Sequence, residues 1–264
     1  IVTDETSTTL KENQFYSNWP IRDIGQPDLA ENHIVVAGNR IDQAIPISKE
    51  DYFVTTAWWT SINAFKMLNW QEEVFELQKK RKLVYFVQDF EPGFYPWSTR
   101  YALADSTYRK PEQTIPIFNT KLLNEFFTSQ RYIFEQSFYF DPLLNPTLSE
   151  LREKATGVKK QKQILIYGRP SVDRNLFSLI VQSLKCWADS YESASSWKVY
   201  SAGEQHEPIN IGSNIAIESV GKLSLEEYAN VLARSSVGIS LMLSPHPSYP
   251  PLEMAMFDVN VITN

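Results

Sequence analysis

The sequence has one cysteine, Cys186, among 264 residues, so no disulfide can form within the chain. This scarcity is typical of proteins from a reducing compartment. Cys186 falls in a segment with helical apolar spacing, where we expect a buried small hydrophobe and not a nucleophile. No apolar run approaches the roughly 18 residues of a membrane helix, and no signal peptide is visible. We therefore expect a cytoplasmic protein; peripheral association with the inner face of the membrane stays open.

The chain also lacks blocks of lysine or arginine, and its net charge is −6. This balance argues against a nucleic-acid partner, which usually requires a basic patch. The three histidines are scattered without metal-ligand spacing, and we predict no metal site. There is no Gly-x-Gly-x-x-Gly after a strand, no Walker phosphate loop and no Gly-x-Ser-x-Gly elbow, so these patterns give no support to NAD-type dinucleotide, P-loop or hydrolase sites.

The second half alternates between apolar strands and amphipathic helices. We predict strands at 164–167, 197–202, 215–219, 237–243 and 259–263, and helices at 176–187, 224–232 and 250–257. Ser224 and Glu227 form a capping box at the start of one helix. Such alternation predicts an α/β fold with a parallel, doubly wound sheet.

The first half shows the same alternation less clearly. We predict strands at 51–56, 82–88, 114–119 and 132–140, and helices at 58–80, 98–108 and 121–130, and we assign little before residue 50. A proline-rich and charged stretch at 141–162 suggests a boundary between domains at 1–155 and 156–264. Because the sequence starts and stops in apparent strands, we expect both domains to be incomplete.

Two carboxylates follow the strand at 82–88, in an aromatic loop. Asp89 and Glu91 are surrounded by Phe90, Phe94, Tyr95 and Trp97. Ligands of open α/β sheets bind beyond the carboxyl ends of strands, and aromatic rings with a few carboxylates suit sugars. The alternative is that the aromatic side chains only anchor the loop and that it has no binding role.

A second candidate is the stretch from 239 to 257, where a strand breaks into a loop at 244–248. The chain then enters a helix through Pro250 and Pro251, which suit a first turn. Free amides and the positive end of the helix dipole would hold phosphate there. We place Glu253 in that first turn, within reach of a ribose or sugar hydroxyl.

Arg169 and Arg174 bracket the turn after the strand at 164–167. Two guanidiniums at a strand's carboxyl end can grip a diphosphate. The alternative is a pair of surface ion-pair arginines. The 244–250 loop favours the binding interpretation, because both features lie at the same edge of the predicted sheet. A nucleotide-sugar diphosphate is the ligand that this combination indicates.

Three stretches within 164–264 resemble the C-terminal half of GT-B glycosyltransferases of the large family 4 type. They are Gly168-Arg169 with Arg174, Gly221-Lys-Leu-Ser-Leu-Glu-Glu-Tyr228, and Pro-Leu-Glu253. The resemblance implies two Rossmann-like domains facing a cleft. It also implies that Arg169 and Arg174 bind the donor diphosphate, that Lys222 and Leu223 lie beside the base, and that Glu253 binds the ribose. Pro245 replaces the family's other glutamate, so His246, Ser248 or the other domain would hold the sugar.

Two longer stretches are together similar to bacterial rhamnosyltransferases of the WsaF type, which assemble S-layer glycans and rhamnans. They are Tyr-Phe-Val-Gln-Asp-Phe-Glu-Pro92 and Ser-Pro-His-Pro-Ser-Tyr-Pro-Pro-Leu-Glu253. This resemblance implies transfer of L-rhamnose from dTDP-β-L-rhamnose to a rhamnose-containing glycan, without metal or other cofactor. A lipid-linked acceptor and a homodimer stay open.

The expected catalytic roles follow from that reaction. The leaving dTDP would be stabilised by Arg169, Arg174 and the 246–249 loop, which includes Tyr249. Asp89 would position the acceptor hydroxyl or the sugar ring. A retaining reaction needs no strong enzymic base; in an inverting one Asp89 or Glu91 would be the base. The alternatives are a nucleotide-sugar epimerase of the same fold and a non-catalytic glycan-binding module.

Overall fold

A computed structural model describes residues 1–27, 32–38, 43–77, 81–246 and 248–264. The chain divides into two units, one of residues 1–53 with 66–81 and the other of residues 54–65 with 82–264. None of the helices within the described ranges is both long and apolar enough to span a membrane.

The first unit contains a small parallel sheet of order β1-β3-β2. Its strands are β1 (Val2–Thr3), β2 (Ile21–Asp23) and β3 (Ile34–Val36), and helix α1 spans Ser7–Glu12. Thr6 caps this helix by accepting a hydrogen bond from the Thr9 amide. Ile34 and Val35 of the central strand are buried, as the middle of a sheet requires.

The second unit begins with a parallel sheet of order β4-β5-β6-β7. Its strands are β4 (Val54–Thr55), β5 (Leu83–Val87), β6 (Thr114–Phe118) and β7 (Phe138–Tyr139). The helices of this part of the sequence are α2 (Trp58–Val74), α3 (Thr99–Tyr108) and α4 (Lys121–Ser129). The predicted strands at 82–88 and 114–119 are confirmed within a residue at each end. The helix predicted at 58–80 stops at Val74, and residues 78–80 lie outside the described ranges.

The strand predicted at 132–140 is mostly wrong, because only Phe138–Tyr139 pairs with β6. Arg131 adopts a left-handed conformation with φ of 63°, which turns the chain after α4. Tyr132 then enters the core from a loop, with its ring centroid 5.2 Å from that of Phe127. The aromatic content that suggested a strand therefore belongs partly to a core cluster of Tyr85, Val87, Tyr108, Phe118, Leu123, Phe127 and Tyr132.

A second sheet in this unit has the order β10-β11-β9-β8-β12-β13. Its strands are β8 (Gln161–Gly168), β9 (Lys198–Gly203), β10 (Ile209–Gly212), β11 (Ile215–Gly221), β12 (Ser235–Ile239) and β13 (Asn260–Ile262). All neighbours pair in parallel except β10, an antiparallel edge strand that the sequence did not reveal.

Helices cover both faces of this sheet: α5 (Pro146–Lys154), α6 (Phe177–Ser190), α7 (Leu225–Arg234) and α8 (Tyr249–Met256). Ile164 and Ile166 of β8 pack into one apolar cluster with α6, whereas Leu165 between them packs into another with α7 and α8. Adjacent strand residues point to opposite faces, so this double burial is the doubly wound arrangement that the sequence predicted.

Several local predictions need correction. Cys186 is exposed, not buried. Helix α5 was missed, although Asn145 caps it and Pro146 occupies its first position. Strand β12 ends at Ile239, so residues 240–243 already belong to the loop that approaches the site.

Candidate functional site

A cavity of about 560 Å³ opens at the carboxyl ends of strands from both sheets of the second unit. Its volume falls within the range of small-molecule sites. Its walls are formed by Thr56, Ala57, Trp59, Gln88, Asp89, Glu91, Phe94, Asn119, Tyr167, Arg169, Arg174, Asn175, Met242, His246, Ser248, Tyr249 and Pro250. The predicted site residues Asp89, Glu91, Arg169, Arg174, His246, Ser248 and Tyr249 are thus brought together.

Three strand ends deliver these side chains. Asp89 follows β5, Arg169 follows β8 directly, and His246 lies on the loop that leaves β12. The Leu243 amide donates to the Arg174 carbonyl at 2.8 Å, which ties that loop to the turn after β8. Strands β8 and β12 end at the same edge of one sheet, and β5 of the other sheet ends at the same cavity, so residues distant in sequence meet there.

Asp89 and Arg174 form an ion pair inside the cavity. Nη1 of Arg174 donates to Oδ2 of Asp89, and the exposed fractions of the two side chains are 26% and 7%. The Arg174 guanidinium also lies 4.2 Å from the ring centroid of Phe94. A carboxylate and an aromatic face therefore fix this arginine from two sides.

The other oxygen of Asp89 is bonded as well. Oδ1 accepts hydrogen bonds from Oγ of Ser244 at 2.8 Å and from the Phe90 amide at 2.8 Å. Nε2 of His246 lies 3.8 Å from Oδ2. Asp89 consequently connects the end of β5 to the turn after β8 and to the loop after β12.

Glu91 is a buried hydrogen-bond acceptor. Its Oε2 accepts from the hydroxyl groups of Tyr85 and Tyr108, the latter at 2.8 Å, and its Oε1 accepts from the Trp58 amide at 3.2 Å. Burial raises the pKa of the Glu91 carboxyl above its ordinary value, although the tyrosine hydrogen bonds pull it down. The same burial raises the pKa of both tyrosines, so they stay protonated donors.

Arg169 is half exposed at the cavity wall. Its Nε lies 3.6 Å from Oε1 of Glu204, at the end of β9. Arg169 and Arg174 thus approach the cavity from the two ends of one turn, each with its own carboxylate partner. The two positive charges that sequence reasoning assigned to this edge are present, but each lies next to a carboxylate.

The start of α8 differs from the prediction. Tyr249 is the first helical residue, and Pro250 and Pro251 follow, so only one amide is available among the first three residues. The prediction of several free amides at this helix start was therefore wrong. Glu253 is the fifth helical residue and lies in the second turn, not the first.

Three predicted site residues do not line the cavity. Lys222 is exposed on the loop after β11, and Leu223 packs against the α7–α8 core cluster. Burial raises the pKa of the Glu253 carboxyl, and the neighbouring Tyr228 hydroxyl opposes this rise. The roles given to them for base and ribose stay predictions.

Several wall residues were not anticipated from the sequence. Trp59 and Thr56 come from the segment where β4 passes into α2, Asn119 follows β6, and Tyr167 and Met242 flank the arginine turn. Asn119 carried a usable signal, because it follows an apolar strand just as Asp89 does. The others lie at positions that only the folded loops define.

Comparison with known proteins defines the class first. The chain has a TM-score of 0.54 with the crystal structure of TarM, at 9% identity, covering 82% of this chain and 41% of that one. With sucrose-phosphate synthase from Thermosynechococcus elongatus the TM-score is 0.50 at 12% identity, with 80% and 55% coverage. The α/β fold with parallel sheets is that of the GT-B glycosyltransferases.

Sequence profiles then give the family. The WsaF N-terminal domain matches residues 1–121, and the WsaF C-terminal domain matches residues 162–264. The chain belongs to the WsaF family. It is also 32% identical over 180 residues to the O-antigen biosynthesis protein RfbC of Myxococcus xanthus. That match covers 68% of this chain and 14% of RfbC, so the chain spans about one seventh of this relative's length.

Proposed function

We propose that this protein is a glycosyltransferase that moves L-rhamnose from dTDP-β-L-rhamnose to a hydroxyl of a rhamnose-containing glycan. The observation that carries the proposal is the convergence of Arg169, Arg174 and the start of α8 on one cavity that also contains Asp89. Glycosyl transfer from such a donor needs a cationic site for the departing diphosphate next to a polar site for an acceptor hydroxyl.

Diphosphate binding is supported by the chemistry of the two arginines. Guanidinium groups bind phosphate oxygens in a bidentate manner, and the amide and dipole at the first turn of α8 add to the field. Arg174 is held in place by Asp89 and Phe94 before any ligand arrives, which lowers the entropic cost of binding. We place the leaving diphosphate between these arginines and the 246–249 loop; within that loop Pro247 lies outside the described residues.

The carboxylates receive different roles in this proposal. Asp89 faces the cavity and positions the acceptor hydroxyl or the sugar ring, while its contact with Arg174 couples it to the diphosphate. Glu91 lines the cavity, but its oxygens already accept three hydrogen bonds from the protein, so we assign it to holding the 89–95 loop instead of acting as the base. Arg169 and Arg174 then neutralise the charge that develops on the leaving group.

The donor sugar and the acceptor are supported by relatedness. Membership of the WsaF family and the similarity to a protein named for O-antigen biosynthesis favour a bacterial surface glycan. We propose residues 1–155 as the acceptor side and 156–264 as the nucleotide side, with Lys222 and Leu223 at the base and Glu253 at the ribose. A lipid-linked acceptor at the inner membrane face would fit this scheme.

The test is to incubate the protein with radiolabelled dTDP-β-L-rhamnose, with and without a synthetic rhamnoside, in buffer containing EDTA. We expect label in the rhamnoside and free dTDP in equal amounts, with little donor consumed when the rhamnoside is omitted. Conversion of the donor without acceptor would point to an epimerase. Binding of the rhamnoside without binding of dTDP would point to a glycan-binding module, and either result would contradict the proposal.

A further inference from the structure

The end of strand β9 is built around the turn that carries Arg169. Strands β8 and β9 are neighbours, and Gly168 pairs with Gly203 at their carboxyl ends. Gly203 has φ of 139°, and a Cβ there would lie 2.4 Å from the Gly168 carbonyl oxygen and 3.2 Å from Cγ of Arg169. Only glycine allows the Arg169 side chain to pass this close to the end of β9.

The next residue, Glu204, binds that turn at several points. Its amide donates to the Gly168 carbonyl at 2.9 Å. Its carboxylate accepts from the Ser171 amide at 2.9 Å and from Oγ of Ser171 at 2.6 Å, and it lies 3.6 Å from Nε of Arg169. Glu204 therefore contacts both the backbone of the turn and the Nε atom of Arg169.

We infer that Glu204 is a positioning residue that sets the orientation of Arg169 for binding the donor diphosphate. The inference rests on the proposed function, because it concerns the same phosphate subsite. An arginine stem has several rotatable bonds, and fixing it before the ligand arrives reduces the entropy lost on binding. The distance and burial make this a modest ion pair, so the effect on affinity is modest as well.

The carboxylate is well suited to stay charged beside a phosphate site. Hydrogen bonds from the Ser171 hydroxyl and amide lower the pKa of Glu204 below its ordinary value. These donors also compensate much of its negative charge, which limits the repulsion that a bare carboxylate would exert on a diphosphate. The gain from orienting Arg169 is therefore expected to exceed the cost of that repulsion.

The test is a double-mutant cycle read out as the Kd for dTDP by calorimetry. The variants are Glu204→Gln, Arg169→Met and the double mutant; Gln retains the shape and one acceptor for Ser171. We expect Glu204→Gln to weaken dTDP binding roughly twofold to fivefold in the wild-type background and to have no effect once Arg169 is Met. Glu218→Gln, an exposed glutamate on β11, is the matched control and should leave the Kd unchanged.

Three outcomes would overturn the inference. An equal weakening by Glu204→Gln in both backgrounds would mean that Glu204 does not act through Arg169. An unchanged or tighter Kd in the wild-type background would mean that it does not position the arginine. If the wild type binds no dTDP, UDP or GDP, the proposed function fails first and this inference fails with it, so the two failures are distinguishable.

Discussion

The ion pair between Asp89 and Arg174 allows the effect of Arg174 on folding stability to be distinguished from its effect on dTDP binding. Replacing Arg174 by Met removes the cation but keeps most of the apolar stem that packs near Phe94. Asp89, only 7% exposed in its side chain, then retains Ser244 and the Phe90 amide as partners. A nearly buried carboxylate without its cation destabilises the folded state.

The magnitude follows from the burial of the pair. Breaking a fully buried pair costs about 3–5 kcal/mol, whereas exposed pairs are worth about 0–1 kcal/mol. Arg174 is 26% exposed, so we expect a loss of roughly 1.5–3 kcal/mol, or roughly 3–12 °C in Tm. If Arg174 also binds the diphosphate through a charge-assisted hydrogen bond of about 1.5–3 kcal/mol, dTDP affinity falls roughly 10- to 150-fold.

The assay compares Arg174→Met, Asp89→Asn and the double mutant by denaturant unfolding and by calorimetric titration with dTDP. The double mutant contains no uncompensated buried charge, so most of the lost stability should return while dTDP affinity stays low. A double mutant that recovers both properties, or an Arg174→Met protein that binds dTDP like the wild type, would refute the reasoning. Arg174 would then be only the ion-pair residue of the alternative interpretation.

Two further predictions concern stability alone. Burial raises the pKa of Glu91 above its ordinary 4.5, so the folded protein binds that proton more tightly than the unfolded chain does. The wild type should therefore lose stability relative to Glu91→Gln as the pH rises from about 4.5 through the raised pKa of the folded state. A difference in Tm that does not depend on pH would contradict this account. Asn145→Ala removes the cap of α5 and should cost about 1 kcal/mol without changing dTDP affinity; a weaker dTDP affinity would show that α5 influences the site.

The sequence predicted the alternation of strands and helices because apolar periodicity reports burial directly. Continuous apolar strands such as β5 and β8 indicated sheets covered on both faces, and the structure confirms this for β8. The capping box at Ser224 and Glu227 was also predicted correctly, since it depends only on local spacing.

Element ends were predicted less well, because aromatic and apolar residues can be buried from a loop as well as from a strand. Tyr132 shows this for the segment before β7. Helix α6 starts at Phe177, one residue later than predicted, because Leu176 adopts a left-handed conformation. Phe177, Ile180 and Leu184 are buried on its inner face, whereas Cys186 is exposed.

At the site, the sequence indicated which strand ends carry polar residues but not how those residues pair. Asp89 and Arg174 are 85 residues apart, and their contact depends on the paths of three loops. Glu204 was overlooked for the same reason, since nothing in its local sequence relates it to Ser171. Glu253 was placed in the first turn of α8 because the helix start was predicted at Pro250; the helix starts one residue earlier, at Tyr249, so Glu253 begins the second turn.

The central claim is that the cavity binds a nucleoside diphosphate through Arg169 and Arg174. Its most direct test is calorimetric titration of dTDP into the wild type and into Arg169→Ala, with thymidine as the ligand that lacks phosphates. We predict saturable binding of dTDP to the wild type, much weaker binding of thymidine, and an affinity for dTDP at least about 10-fold lower in the variant. Equal dTDP affinity in the two proteins would contradict the account.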